Sequence, residues 1–166
     1  MLGVAGWSGA GKTTLIEALL PRLRARGLRV STIKHAHHGF DLDTPGKDSF
    51  RHRAAGAHEV LVASGRRWAL LHEVEGAEPT LSALLARLSP VDLVLVEGFK
   101  SNPVAKLEVH RPAIGKPALW PERPDILAVA TDAALPGCDR ATLPLGDADA
   151  VAAWILAVLP RLAAEG

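Results

Sequence analysis

Residues 6–15 read GWSGAGKTTL, directly after the short apolar run MLGVA at 1–5 and ahead of a stretch whose leucines recur at helical spacing. Gly6, Trp7, Ser8, Gly9, Ala10, Gly11, Lys12 and Thr13 fit the pattern G-x-x-x-x-G-K-[ST] in the context it requires, after a strand and opening a helix. Glycines at these places let the chain wrap closely around phosphate, so that successive backbone N–H groups and the positive end of a helix point at the anion. Lys12 is expected to reach the β- and γ-phosphates, and Thr13 to offer its hydroxyl to Mg²⁺. A Gly-rich strand-to-helix turn with no ligand is the bland alternative. The full motif, its position and the flanking periodicity together argue against that alternative.

Working outward, residues 12–26 place Leu15, Ile16, Leu19, Leu20 and Leu23 at helical spacing, with Gly27 as the stop. Strand signals recur as MLGVAG, LRVSTIKH, VDLVLVEGF, KLEVHR and DILAVATD, with helical stretches between several of them. This alternation predicts an α/β fold, a three-layer phosphate-loop type with a mostly parallel sheet. Residues 58–63 and 67–74 flank Ser64, Gly65 and Arg66 and predict an added antiparallel hairpin. Residues 80–88 and 148–162 read as helices, the second capped by Asp147. Two polar segments, 35–57 and 100–105, take no regular assignment, and segments of that kind in a compact chain are usually functional or disordered. A single nucleotide-binding domain over 1–166 is expected.

With 166 residues, 48% hydrophobic and 22% charged, the chain has the balance of a soluble globular domain. The net charge of +1 offers no broad basic face, so nucleic acid is not an expected partner and any anion must be met by a local site. One cysteine, Cys138, excludes an intrachain disulfide and a thiolate metal cage. The opening has no basic leader, and no later run approaches the roughly 20 apolar residues of a membrane span, so a cytoplasmic protein with no membrane contact is expected.

VDLVLVEGF supplies a second acidic element. A carboxylate at the C-terminal end of a neighbouring parallel strand lies near the phosphate loop, which makes Glu97 the candidate for Mg²⁺. Asp92, at the start of the same strand, reads as structural. Between 35 and 58 fall His35, His37, His38, His52 and His58 with Asp41, Asp43 and Asp48, a set that could hold a transition metal but matches no fixed zinc spacing. The segment follows a strand end facing the same crevice, so Lys34, Asp48, Arg51 and Arg53 could instead touch a second phosphorylated ligand or position water.

Taken together, GWSGAGKTTL, TIKHAHHGFDLDTPGKDSFRHRAAGA, LVLVEGFK and KLEVHR closely resemble the molybdopterin-guanine dinucleotide biosynthesis protein B family, in order over residues 3–111. The resemblance implies a GTP-binding protein with weak GTPase activity that serves as an adaptor in molybdenum cofactor maturation. Its expected partners are the guanylyltransferase that joins GMP to molybdopterin, a second copy of the chain in a homodimer, and molybdopterin or its molybdenum form. Carried over, the family's phosphate and magnesium residues fall on Gly9, Gly11, Lys12, Thr13, Thr14 and Glu97. Slow hydrolysis would draw on Lys12, with Asp48 as the candidate for positioning water. The usual guanine motif, Asn or Thr followed by Lys, any residue and Asp, is absent; VATDAAL keeps only Thr131 and Asp132. Asp132 is therefore one candidate reader of the base, and backbone groups near Pro144 or Leu145 are the other. A small-molecule kinase and a metallochaperone GTPase of the nickel-enzyme type remain as competing readings, the first lacking an arginine-rich lid and the second lacking cysteine near the histidines.

Overall fold

All four residues of strand β1 (Leu2–Ala5) are buried, and the strand lies at the middle of a six-stranded parallel sheet. In the computed structural model, residues 1–36, 39–99 and 101–164 are described. His37, His38 and Lys100, which the sequence reading placed in the two polar segments, lie outside them. The residues pack as two compact units, Met1–His35 with Leu85–Gly166, and Ala36–Leu84.

The first unit holds β1, helix α1 (Lys12–Ala25), β2 (Val30–Lys34), β5 (Leu93–Glu97), β6 (Lys106–His110), β7 (Ile126–Thr131), β8 (Ala141–Pro144) and α4 (Ala148–Ala164). Across the sheet the order is β2-β5-β1-β6-β7-β8, with every neighbouring pair parallel. The chain runs outward from β1 on one side and then on the other, so β1 sits at the point where strand order reverses, the usual place for a ligand crevice at the carboxyl ends. Leu15, Ile16, Leu19 and Leu23 of α1 pack with Val151, Ala152 and Ile155 of α4 against Leu2, Val4, Leu95, Leu107 and Val109. The helical spacing of these residues is that of an amphipathic face turned to a sheet. Asp147 caps α4 as expected, its Oδ1 accepting the Asp149 and Ala150 N–H groups, both at 3.0 Å. Strand β8 was not anticipated; its residues are largely exposed and carry little alternation.

The second unit contains α2 (Asp48–Ala54), an antiparallel hairpin of β3 (Glu59–Ala63) and β4 (Trp68–His72), and most of α3 (Leu81–Leu85). The hairpin is a separate two-stranded sheet, as its sequence predicts. Helix α2 falls in the segment read as irregular: Arg53 gathers Asp41 and Glu73 at 2.8 and 2.9 Å, and such long-range pairing leaves no periodic trace. Thr80 Oγ1 accepts the Ala83 N–H at 3.2 Å, capping α3, which is shorter than the expected 80–88. Among the described residues no helix is long and apolar enough to cross a membrane.

Strand β6 departs from the apolar run usual for the centre of a parallel sheet, because Lys106, Glu108 and His110 are buried along with Leu107 and Val109. Period-two alternation puts the three polar side chains on the face opposite the α1 and α4 core. Lys106 Nζ is paired with Asp125 and donates to the Val104 carbonyl at 3.0 Å. Arg123 also reaches the Asp125 carboxylate, at 2.8 Å. Burial alone would raise the Asp125 carboxyl, but hydrogen bonds from Arg123 and Lys106 outweigh it and hold it at about 2, below the ordinary 3.8.

A depressed carboxyl contributes stability above its unfolded value and loses it as pH falls through the folded one. Wild type therefore loses this contribution between pH 3.8 and about 2. Asp125→Ala should unfold with about 3 kcal/mol less stability in urea at neutral pH, because it strands the buried Lys106 charge, and should lack that acid-dependent step. Equal stability of variant and wild type at pH 7 would overturn the assignment.

Candidate functional site

The loop leaving β1 is built on backbone that only glycine tolerates well. Gly6 has φ +141, and a Cβ there would stand 2.4 Å from the Val109 carbonyl oxygen on neighbouring β6. Gly9 and Gly11 follow in the left-handed region, at φ 80 and 99, and Gly11 is the N-cap of α1. Ala10 between them is fully buried, its N–H donated to the Trp7 carbonyl at 3.2 Å. Lys12 Nζ donates to that same carbonyl at 3.0 Å. Ser8, Gly9, Thr13 and Thr14 are exposed, so the loop presents its outer rim to solvent while Gly6 presses against the sheet. A phosphate entering here would meet a helix N-terminus, a lysine and three hydroxyl-bearing residues.

On one side of β1 stands β5, which ends in Glu97. Thr13 Oγ1 donates to Glu97 Oε2 at 3.4 Å, and Lys34 Nζ lies 3.9 Å from the same oxygen. The turn after Glu97 is tight: Gly98 has φ +94, with only 2.5 Å between a Cβ there and the His35 Cβ, and Phe99 takes φ 47. The His35 N–H bonds the Glu97 carbonyl at 2.8 Å, fixing that strand end. A hydroxyl beside a largely buried carboxylate is a set of hard oxygen donors suited to Mg²⁺ and poorly suited to a soft metal. The two residues assigned to magnesium from sequence are thus neighbours in space.

On the other side stand β6 and then β7. Asp132, just past β7, lines a pocket of about 380 Å³ together with Thr142, Pro144 and Leu145. Both sequence candidates for base reading therefore share one cavity. Its backbone groups are partly committed, since the Leu145 N–H is donated to the Thr131 carbonyl at 2.8 Å and the Pro144 carbonyl accepts from Asp147 at 3.0 Å. The Asp132 carboxylate, with a side chain 43% exposed, is the more available acceptor.

Sequence reasoning missed Arg111, the residue after β6. Its Nε lies 3.5 Å from Asp132 Oδ2, and its guanidinium comes within 3.7 Å of the place where a Gly11 Cβ would stand. Its position at a strand's carboxyl end beside the phosphate loop was the available signal. The following segment covers the loop as well: Trp7 Nε1 donates to the Pro117 carbonyl at 2.8 Å, and Lys116 Nζ sits 5.7 Å from the Trp7 ring centre.

Other candidates take different places. Asp48 begins α2 in the second unit, strongly exposed, with Arg51 of the same helix 3.8 Å away. Arg53 is only 18% exposed and is held by Asp41, Asp43 and Glu73, so the expectation that it touches a phosphorylated ligand is replaced by a structural role inside that unit. Among the described residues, no group of three or more histidine, cysteine or acidic side chains could hold a metal ion. His58 and His72 stack edge to face at 4.8 Å on the hairpin, while His52 lies on α2. Asp92 is structural as expected, its Oδ2 accepting the Arg29 N–H at 2.6 Å.

Comparison with known proteins places most of the chain in one family. The model of the molybdopterin guanine dinucleotide synthesis protein B family (MobB) matches residues 1–132. The molybdopterin-guanine dinucleotide biosynthesis adapter protein of Escherichia coli is 43% identical over 160 residues, covering 94% of this chain and 91% of the relative. The adapter protein of the same name from Haemophilus influenzae is 43% identical over 159 residues, covering 93% and 86%. A crystal structure of molybdopterin-guanine biosynthesis protein B superposes with a TM-score of 0.77 at 31% identity, covering 96% of this chain and 98% of the other.

The close approach at Gly6 carries its own test. Gly6→Ala should lower stability by about 2 kcal/mol, or roughly 5 °C in Tm, because it adds both a clash with the Val109 carbonyl and an unfavourable φ. Gly65→Ala, where a Cβ meets nothing, should leave Tm unchanged in the same calorimetric series.

Proposed function

This chain belongs to the molybdopterin guanine dinucleotide synthesis protein B family, and from that premise we propose that it is an adapter in molybdopterin-guanine dinucleotide formation that binds GTP with Mg²⁺ and hydrolyses it slowly. The observation that carries the nucleotide reading is the pairing of Thr13 with Glu97 at the mouth of a glycine-built loop at the reversal point of the sheet. The loop N–H groups and Lys12 meet the β- and γ-phosphates, and Thr13 with Glu97 would hold the magnesium ion. When bound, the ion neutralises charge on the phosphate oxygens. Asp132 in its pocket is the base reader, accepting the guanine N1–H and exocyclic amine.

The adapter role follows the names of the relatives. The partner we propose is the guanylyltransferase that joins GMP to molybdopterin, with molybdopterin or its molybdenum form as the delivered ligand. A homodimer is supported by the hairpin, where Leu61, Leu70 and Trp68 share one face and are 61%, 39% and 65% exposed. Val60 lies on the opposite face and is buried.

Lys12→Ala should weaken GTP–Mg²⁺ binding by about ten- to a hundredfold while leaving the unfolding transition unchanged, since it removes a charge and no core volume. Unaltered affinity in titration calorimetry would remove Lys12 from the phosphates. Sedimentation at micromolar concentration should give a dimer for wild type and a monomer for Trp68→Glu. A wild-type monomer would overturn the pairing. Affinity capture with mass spectrometry tests the adapter reading: recovery of the guanylyltransferase or of a pterin supports it, and recovery of neither at saturating GTP counts against it.

A further inference from the structure

The cation beside the base pocket has no part in the roles assigned so far. Along the carboxyl edge of the sheet, the order is Glu97 on β5, the phosphate loop on β1, Arg111 after β6 and Asp132 after β7. Arg111 thus stands between the loop that takes phosphate and the carboxylate that takes the base. Three of its guanidinium atoms, Nη2, Nε and Cζ, lie 3.7, 3.8 and 3.9 Å from the Cβ position of Gly11. Nε lies 3.5 Å from Asp132 Oδ2, is shut off from solvent, and has no hydrogen-bond partner among the described residues. The side chain as a whole is nevertheless 44% exposed. One edge is therefore held between Gly11 and Asp132 while the remainder opens towards the crevice.

We propose that Arg111 is a specificity-determining residue: its guanidinium stacks on the purine and holds the Asp132 carboxylate in the orientation that reads guanine. This rests on the GTP reading given above. Two facts make the arrangement chemically sensible. The familiar guanine motif places a lysine over the base next to its aspartate, and this chain has Ala130-Thr131-Asp132 with no lysine there. Arginine supplies what is missing from a neighbouring strand, as a planar, permanently charged group that both stacks on rings and pairs with carboxylate. Arginine has only donors and a carboxylate only acceptors, so Arg111 orients Asp132 without competing for the guanine N1–H and amine.

Competition binding of GTP, ITP, ATP and inorganic tripolyphosphate, all with Mg²⁺, to wild type, Arg111→Ala and Arg111→Lys tests this. ITP lacks only the exocyclic amine, and tripolyphosphate has no base. Wild type should prefer GTP over ITP and ITP over ATP. Arg111→Ala should bind GTP about tenfold more weakly, with the GTP-to-ITP ratio falling towards one and tripolyphosphate unaffected. Retained tripolyphosphate binding reports a folded loop. Arg111→Lys should recover part of the affinity but not the ratio, because an ammonium lacks the planar fork that fixes the Asp132 carboxylate. Equal weakening of all four ligands by Arg111→Ala, with ratios intact, would make Arg111 a phosphate contact and overturn the proposal, as would no change at all. A wild type that binds tripolyphosphate but does not separate GTP from ATP would overturn the guanine reading itself. A wild type that binds none of the four would overturn the nucleotide reading beneath it.

Discussion

The approach of Gly6 to the Val109 carbonyl is the constraint on which the candidate site depends. With 2.4 Å between that oxygen and any Cβ at residue 6, β1 and β6 can stay adjacent while the chain turns sharply out of the sheet only if no side chain intervenes. The turn delivers Gly11 to the start of α1 and brings the loop against β6. Because β1 has β5 on one side and β6 on the other, the two flanks of the loop acquire opposite chemistry. Glu97 provides negative charge beside Thr13, and Arg111 provides positive charge beside Gly11. That polarity suits the magnesium nucleotide proposed for the site, whose metal would lie to one side and whose base to the other.

Strand β6 has a second task. A strand buried on both faces normally carries apolar residues on both, yet here Lys106, Glu108 and His110 line one of them. Each charge is met: Asp125 pairs with Lys106, and the Glu108 carboxylate, fully buried, accepts the Leu119 and Trp120 N–H groups at 2.8 and 2.9 Å. Those two bonds fasten the segment 111–123, which carries Arg111 at one end and reaches the phosphate loop through Pro117 and Trp7. A buried charge is costly unless satisfied, so this polar face ties the covering segment to one position. The segment and the polar face of β6 thereby form one assembly on the side of the sheet away from the α1 and α4 core, and Trp7 ties the loop to it.

The second unit follows a different rule. Arg53 draws Asp41, Asp43 and Glu73 together, while the Asp43 side chain also accepts the Thr44 N–H at 2.9 Å and the Ser49 hydroxyl at 2.8 Å. Polar residues that suggested ligand contacts are here the local framework of the unit. Its hairpin leaves large apolar side chains outside, which is the opposite economy to the central strands β1, β6 and β7 of the first unit, where nearly every residue is covered.

What the sequence determined by itself is what short-range backbone geometry dictates. The spacing of Gly6, Gly11, Lys12 and Thr13, the acidic end of an apolar strand at Glu97, and the cap at Asp147 ahead of α4 are all local patterns, and each lies where it was expected. The parallel sheet with its separate hairpin was legible for the same reason, through hydrophobic periods. Other features belonged to tertiary structure alone. Arg111 beside Gly11 and Asp132, Arg53 inside its ring of carboxylates, and Val60 turned away from Leu61 each depend on neighbours brought in from distant parts of the chain. Strand order decided them, because only the placement of β6 between β1 and β7 makes the end of KLEVHR adjacent to both the phosphate loop and Asp132.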